Sequence, residues 1–573
     1  MLRKLFCLFA IAQLCAICAR SQTLYVNNVK AVRDVDTHIF YATADAIPPD
    51  STYVQAVIHL DANVATIKVD GKENKNGSNI KLKANMLQHE LVFKLNEKTD
   101  TLQLALTTLP LVTINRVNAD ETYAKGEPIL TTFQLYTSPK SVYSQGEPCF
   151  TSWANVSYRG ATASQMPKKS FKVKLLDKAD DGKFDENDRN LLSIRTTDTY
   201  LLDAASIDYS RIRNRVCFDL WNELSPLRDA DMKRNGTIGR FCEMLLDGRY
   251  VGLYCLSDNI NRKLLGLKKL KEENGNKIVR GILYKCKGVA TSLMQLQKDE
   301  SLSQGYGERW YDWFLKYPDD ASVMDERCWT PLYHLIDHTS ELGQSPDSVQ
   351  YTMQNFCPEI IETYAVFAMS LQLLDNMMHN TYLSVKDCTQ DERMWFTPWD
   401  MDGSFGRDGS STKFNIMSNS YQVFQDCHPF RYFYDNQVEP FYSRYIELWD
   451  SLHSSTLSVE HVAQVLHYYT QQIECSGSWL RECARWSGMK NFWHPNIPLD
   501  LAPSLTEEVD YMLQWYEMNE KQLTHIQQMT QGVAYKSKHD QRIFYIDGRL
   551  SKERKVENLP SGIYIINGRK VIK

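Results

Sequence analysis

The stretch that decides the reading of this chain runs from Leu373-Leu-Asp-Asn-Met-Met-His-Asn380, through Tyr382-Leu-Ser-Val-Lys386 and Arg393-Met-Trp-Phe-Thr397, to Pro398-Trp-Asp-Met-Asp-Gly-Ser-Phe-Gly406. Its first part closes an amphipathic helical pattern expected over 359–374. The two strand-like runs, joined by a polar turn over 387–392, predict a β-hairpin. A hairpin brings its two ends together, so Asp375 and Asn380 are expected beside Asp400 and Asp402. Three carboxylates and an amide then converge from opposite ends of one element, and hard oxygen donors of this kind suit Mg²⁺ or Mn²⁺. The order is also that of phosphoryl transfer: an acid to orient a hydroxyl, an asparagine for a metal, and an aspartate after a hairpin for the metal that bridges phosphates. Asp375 and Asn380 alone would read as a helix-end cap and the acidic pair alone as a solvated turn. An apolar Pro398-Trp399 entry to two close carboxylates is a costly way to build an ordinary loop.

Upstream, Tyr158-Arg-Gly-Ala-Thr-Ala-Ser164 is a small-residue turn leading into the lysine-bearing strand Pro167-Lys-Lys-Ser-Phe-Lys-Val-Lys-Leu175. Phe171, Val173 and Leu175 share one face with Lys169, and Lys172 and Lys174 take the other, so either face suits a phosphate cleft. Ile207-Asp-Tyr-Ser-Arg-Ile-Arg-Asn214 opens a helix expected to run to Leu224, with Asp208 in an N-cap position and Arg211, Arg213 and Asn214 in its first turns. The Asp247-Gly248 dipeptide marks a second hairpin, after which Asp258 is placed to pair with the strand lysine.

Working outward, 573 residues with 43% hydrophobic and 24% charged residues exceed one compact core and exclude a disordered chain. A net charge of −5 argues against nucleic-acid binding through a global basic field. Arg3 and Lys4 before an apolar run to Cys18, with Ala19 and Ser21 ahead of Gln22, read as a secretory signal over 1–21. Export to the periplasm, cell surface or medium is expected, with no transmembrane segment in the body. Eleven cysteines follow that leader without a C-x-x-C pair, which suggests small buried apolar side chains with an occasional bridge. Alternating short segments predict a small all-β sandwich of immunoglobulin-like type over 22–111. A larger unit follows over 112–534, β-rich first and helical after about Asp208, and a β appendage over 535–573. Further helices are expected over 439–452 and 506–531.

Taken together, these segments resemble the CotH (spore coat protein H) kinase family over about residues 112–530. The resemblance implies an α+β, atypical protein-kinase-like two-lobed domain that transfers the γ-phosphate of ATP, with Mg²⁺ or Mn²⁺, to a protein serine or threonine hydroxyl; a glycan hydroxyl fits the same geometry. By the same resemblance Asp375 is the catalytic acid, Asn380 and Asp400 are metal ligands with Asp402 close by, and Lys169 or Lys174 contacts phosphate. Arg159, Gly160, Arg213 and Asp258 join the nucleotide site. The chain departs from the family pattern at Gly160-Ala161-Thr162, where Gly-Asn-Ser is usual, and at Asp258, where glutamate is usual. The C-terminal stretch from Leu559 resembles a sorting-type β-segment of secreted Bacteroidetes proteins.

Three other readings compete. His334-Leu-Ile-Asp-His338 places two imidazoles at helical i, i+4 spacing, yet has aspartate where an inverted zinc-protease motif carries glutamate. The acids Asp180, Asp181, Asp185 and Asp188 miss the calcium-loop spacing. A kinase-like but inactive surface adhesin, using the sandwich and the 11% aromatic content for contacts, is the non-enzymatic alternative.

Overall fold

The computed structural model describes residues 22–48, 51–144, 147–224, 235–287, 307–310, 312–345, 347–357, 359–378, 380–408, 428–490, 498–499 and 501–537, with short C-terminal strands at 543–545, 563–566 and 569–572. The expected leader and the His379 and 409–427 positions lie outside them. The chain is mixed α/β, with a β-rich N-terminal region.

The N-terminal residues form two facing sheets. One joins Thr23–Val26, Tyr53–Asp61 and Asn79–Lys83, and the other is centred on Lys98–Thr107 and His89–Leu95. Strict alternation explains this: along Tyr53–Asp61, Val54, Ala56, Ile58 and Leu60 point inward and their neighbours outward. Strand Leu111–Arg116 already belongs to the next unit, where it runs parallel to Gly239–Leu246.

That next unit begins as a closed β-barrel. Its strands run Cys149–Arg159, Ile129–Tyr136, Leu111–Arg116, Gly239–Leu246, Arg249–Ser257, Thr199–Asp203 and Ser170–Lys178, and the last pairs back with the first. Closure removes both sheet edges and gives the inward face a core of Val112, Ile114, Phe133, Val156, Phe171 and Val173. The expected parity along Ser170–Lys178 holds, since Phe171, Val173 and Leu175 are buried and Lys172 is exposed.

After the barrel come a five-strand antiparallel sheet, which holds Ile282–Cys286 between Trp313–Tyr317 and Thr381–Asp387, and a set of helices that share one apolar core. The helices Phe441–His453 and Leu505–Ser537 fall where periodicity places them, whereas Arg213–Leu224 begins later than expected and leaves Arg211, at φ 63°, ahead of it. The helix ahead of the acid stretch differs. It runs Ile360–Leu371 and is buried on every face, so it is a core helix and not an amphipathic one; Gln372, at φ 56°, ends it before Asp375. The ten described cysteines are all free thiols, so the expected occasional bridge is not formed among them. None of the described helices is long and apolar enough to cross a membrane.

Buried charges fasten these parts together. Glu482, on the helix Ser478–Trp486, accepts from Lys168 Nζ at 2.7 Å, from Arg211 Nε at 2.9 Å and from the Leu253 amide of the barrel at 2.8 Å. All three charged side chains are buried. Removing one member of such a set leaves the others charged and unpaired in a medium that hydrates them poorly. Glu482→Ala is therefore expected to cost about 3–5 kcal/mol, read as a drop in the midpoint of chemical denaturation.

Candidate active site

The hairpin Thr381–Asp387 and Asp391–Pro398 forms as the alternation predicts, and Thr381 pairs with Pro398 at its open end. Asn376 laces that end shut: its Nδ2 donates to the carbonyls of Asn380 at 3.0 Å and of Trp399 at 2.6 Å. Asn380 and Asp400 both adopt left-handed backbone, at φ 57° and 59°. Asparagine and aspartate tolerate this conformation better than other residues with side chains. Asn380 Nδ2 donates to Asp375 Oδ2 at 2.7 Å, which fixes the acid and leaves the amide oxygen turned away from it.

The loop after the hairpin is held from below. Arg213, fully buried, donates through Nε to the Ser404 carbonyl at 3.1 Å, through Nη1 to Asp208 at 2.6 Å and through Nη2 to Glu508 at 2.6 Å. Arg407 adds a bidentate pair to the same Glu508, at 2.6 and 2.8 Å. Burial works against the Glu508 charge, but the two guanidiniums outweigh it and hold the carboxyl below its ordinary range. Gly406, at φ 78°, is required here because a Cβ would lie 2.4 Å from the Trp515 ring.

The barrel supplies the opposite wall. Arg159, Asp203, Asn214, Trp399 and Asp400 line one cleft. Asn214 bridges its sides, donating to Asp203 Oδ2 at 3.1 Å and accepting from the Met401 amide at 3.1 Å. Asp400 keeps an exposed side, yet protein crowds it enough to raise its carboxyl pKa; Asp203 and Asp375 add to that rise, and Lys285 and Arg159 oppose it. Asp402 is raised further, by burial first and then by the charges of Asp400, Asp208, Asp375 and Asp203. Among the described residues, Asp400 and Asp402 form neither an ion pair nor a hydrogen bond through their carboxylates.

The structure thus brings Asp375, Asn380, Asp400 and Asp402 into one electrostatic neighbourhood, with Arg159 across the cleft. Gly160, at φ 101°, makes the turn behind Arg159, where a Cβ would meet that of Ala163 at 2.9 Å. Other expected site residues have different partners. Lys174 points away from the barrel interior and pairs with Glu186 at 2.7 Å and Asp198 at 3.6 Å, so its charge is already spent on the outer surface. Lys169 donates to the Ser164 carbonyl at 2.8 Å and bolts the small-residue turn to its strand. Asp258 pairs with Arg195 at 3.2 Å. Arg213 supports the loop from within the core. Asp208 caps later than expected, accepting from the Ser210 and Arg213 amides at 2.8 Å each, because the helix starts only at Arg213.

Two residues whose charges act on Asp400 escaped the sequence reading. Asp203 ends the barrel strand Thr199–Asp203, and Lys285 is the lone charge in the apolar strand Ile282-Leu-Tyr-Lys-Cys286; that isolation was the available signal. The rival motifs are otherwise occupied. His334 faces Glu392 at 3.0 Å and His338 faces Asn355 at 2.6 Å. In the acidic loop, Asp181 pairs with Lys183 and Asp188 with Lys263. No three histidine, cysteine, aspartate or glutamate side chains among the described residues form a protein-only metal cage.

The family described as CotH kinase protein matches residues 156–527, most of the barrel together with the helical region and the whole acid stretch. The chain belongs to the CotH kinase family. A search of curated proteins finds no match. Family membership supports a kinase-like enzyme.

The crowded carboxylates carry a stability cost whose sign is set by their pKa. The folded state raises Asp402 above the ordinary 3.8, so the folded chain keeps a proton that the unfolded chain has lost. Stability therefore falls as pH climbs from about 4 through the raised value. Asp402→Asn is expected to raise Tm at pH 8 by about 2 °C or more, with the gain vanishing towards pH 4, in paired thermal melts.

Proposed function

We propose that this protein is an exported phosphotransferase that moves the γ-phosphate of ATP to a hydroxyl, with a protein serine or threonine as the leading acceptor class. The observation that carries this reading is the pair of unpartnered, mutually repelling carboxylates Asp400 and Asp402, set electrostatically beside an acid–amide pair, Asp375 and Asn380. In this reading the barrel and the helical region act as two lobes around the nucleotide.

The donor set fits a divalent cation of the Mg²⁺ type. Such an ion is commonly held by one or two carboxylates, with phosphate oxygens and water completing its shell, so the lack of a protein-only cage is no obstacle. Asp400, Asp402 and the Asn380 amide oxygen would hold it. When bound it supplies charge neutralisation for the polyphosphate.

The chain's own residues do the rest. Asp375, fixed by Asn380, receives the acceptor hydroxyl and takes its proton as the new O–P bond forms. The bridging bond between the β- and γ-phosphates breaks at the same time, and ADP leaves with the electron pair. Asn376 and Arg213 hold the reacting loops still, so orientation costs little at the moment of reaction. Export rests on the leader-like residues 1–21, and delivery to the surface on the C-terminal segment, whose described part folds as a three-strand sheet.

The test is transfer of labelled phosphate from ATP by the purified chain with Mg²⁺ or Mn²⁺. Asp375→Ala and Asp400→Ala are each expected to lower kcat by about 100-fold or more. No transfer with either metal, and equal nucleotide affinity in all three proteins, would overturn the reading.

A further inference from the structure

Lys285 lies on the strand Ile282–Cys286, where its four neighbours are buried. It pairs in register with Tyr382 of the acid hairpin. Its Nζ sits 5.2 Å from the centres of both the Tyr382 and Trp399 rings, and the Arg159 guanidinium sits 5.4 Å from the Trp399 ring. One indole, the residue before Asp400, therefore carries two cations that enter from different parts of the fold.

Among the described residues, neither cation forms a hydrogen bond or an ion pair. That sets them apart from the other lysines of this region. Lys168 is fully buried and paired with Glu482, whereas Lys285 is half-buried and unpaired, and Lys174 has two carboxylates. Burial lowers the Lys285 pKa to about 7, with Arg159 pushing the same way and Asp400 resisting. Aromatic faces return less to a cation than the desolvation of an unpaired ammonium removes. The arrangement lacks an anion of matching size. It stands next to the unpaired carboxylates of Asp400 and Asp402, so cations and anions lie side by side, as recognition of a metal-bound polyphosphate requires.

We propose that Lys285, with Arg159 opposite it, receives the phosphate oxygens of the nucleotide, the task that sequence resemblance gives to Lys169 or Lys174. This rests on the phosphotransfer reading of the same cleft but is tested separately from it.

The experiment is calorimetric titration of the full chain with Mg²⁺–ATP and with inorganic pyrophosphate plus Mg²⁺, alongside steady-state transfer. The proteins are wild type, Lys285→Met, Lys285→Arg, Arg159→Met and Lys174→Met. Lys285→Met is expected to weaken both ligands about tenfold or more, the loss of one charge-assisted contact. Lys285→Arg is expected to retain most of the affinity, and Lys174→Met all of it. Lys285→Met removes an unpaired buried charge and should melt no lower than wild type; if it does not fold, Arg159→Met carries the same expectation. Affinity within twofold of wild type in Lys285→Met, or no binding of either ligand by wild type, overturns the proposal. Lys285-dependent binding without transfer to any hydroxyl would sustain it and overturn only the transfer reading. Transfer with an unchanged KM for ATP in Lys285→Met would do the reverse.

Discussion

The fixed point of this molecule is a guanidinium with no access to water. Arg213 is fully buried, and its contacts reach three separate parts of the chain: Asp208 and Ser210 ahead of its own helix, the Ser404 carbonyl of the acid loop, and Glu508 on the long C-terminal helix. A planar donor with fixed hydrogen directions transmits orientation as well as attraction, which a lysine in its place would not. Glu508 then grips Arg407, so both ends of the loop 404–407 are referred to one carboxylate. The expense of burying these charges is acceptable only because every partner is present, and the same condition makes the assembly specific.

That rigidity is what allows the cleft to remain electrostatically unsatisfied. Asp400 and Asp402 repel one another, and Lys285 and Arg159 stand nearby against the Trp399 ring without a hydrogen bond or ion pair among the described residues. Left on mobile loops, such groups would turn towards one another or towards solvent. Here Asn376 clamps the hairpin mouth, Asn214 ties Asp203 to Met401, and the left-handed turns at Asn380 and Asp400 fix where each side chain leaves the backbone. Strain and unpaired charge in the acid loop thus rest on the paired charges of Arg213, Asp208, Glu508 and Arg407 beneath it.

Local patterns carried much of this into the sequence. Alternation along Tyr53–Asp61 and Ser170–Lys178 set the buried faces, and the hairpin that juxtaposes Asp375 with Asp400 follows from two strand runs and a polar turn. What sequence did not disclose is mostly a matter of long-range partners. Lys174 looks free in a strand until Glu186 and Asp198 fold against it. Asp258 looks poised for a lysine until Arg195 arrives from 63 residues away. The closure of the barrel depends on Cys149–Arg159 pairing with Ser170–Lys178 as well as with Ile129–Tyr136, a choice no single strand encodes.

Lys285 shows most clearly where the two levels of reading meet. Within Ile282-Leu-Tyr-Lys-Cys286, a single lysine interrupts an apolar strand, which is a local inconsistency: the strand gains nothing from it and pays its desolvation. The fully buried Lys168 resolves the same inconsistency internally, through Glu482. Lys285 has no such internal resolution, and the rings that surround it stabilise a cation without neutralising it. A fold that pairs Lys168, Arg213 and Arg481 with carboxylates inside its core, and leaves Lys285 unpaired beside its acid loop, has placed the missing anion outside the polypeptide.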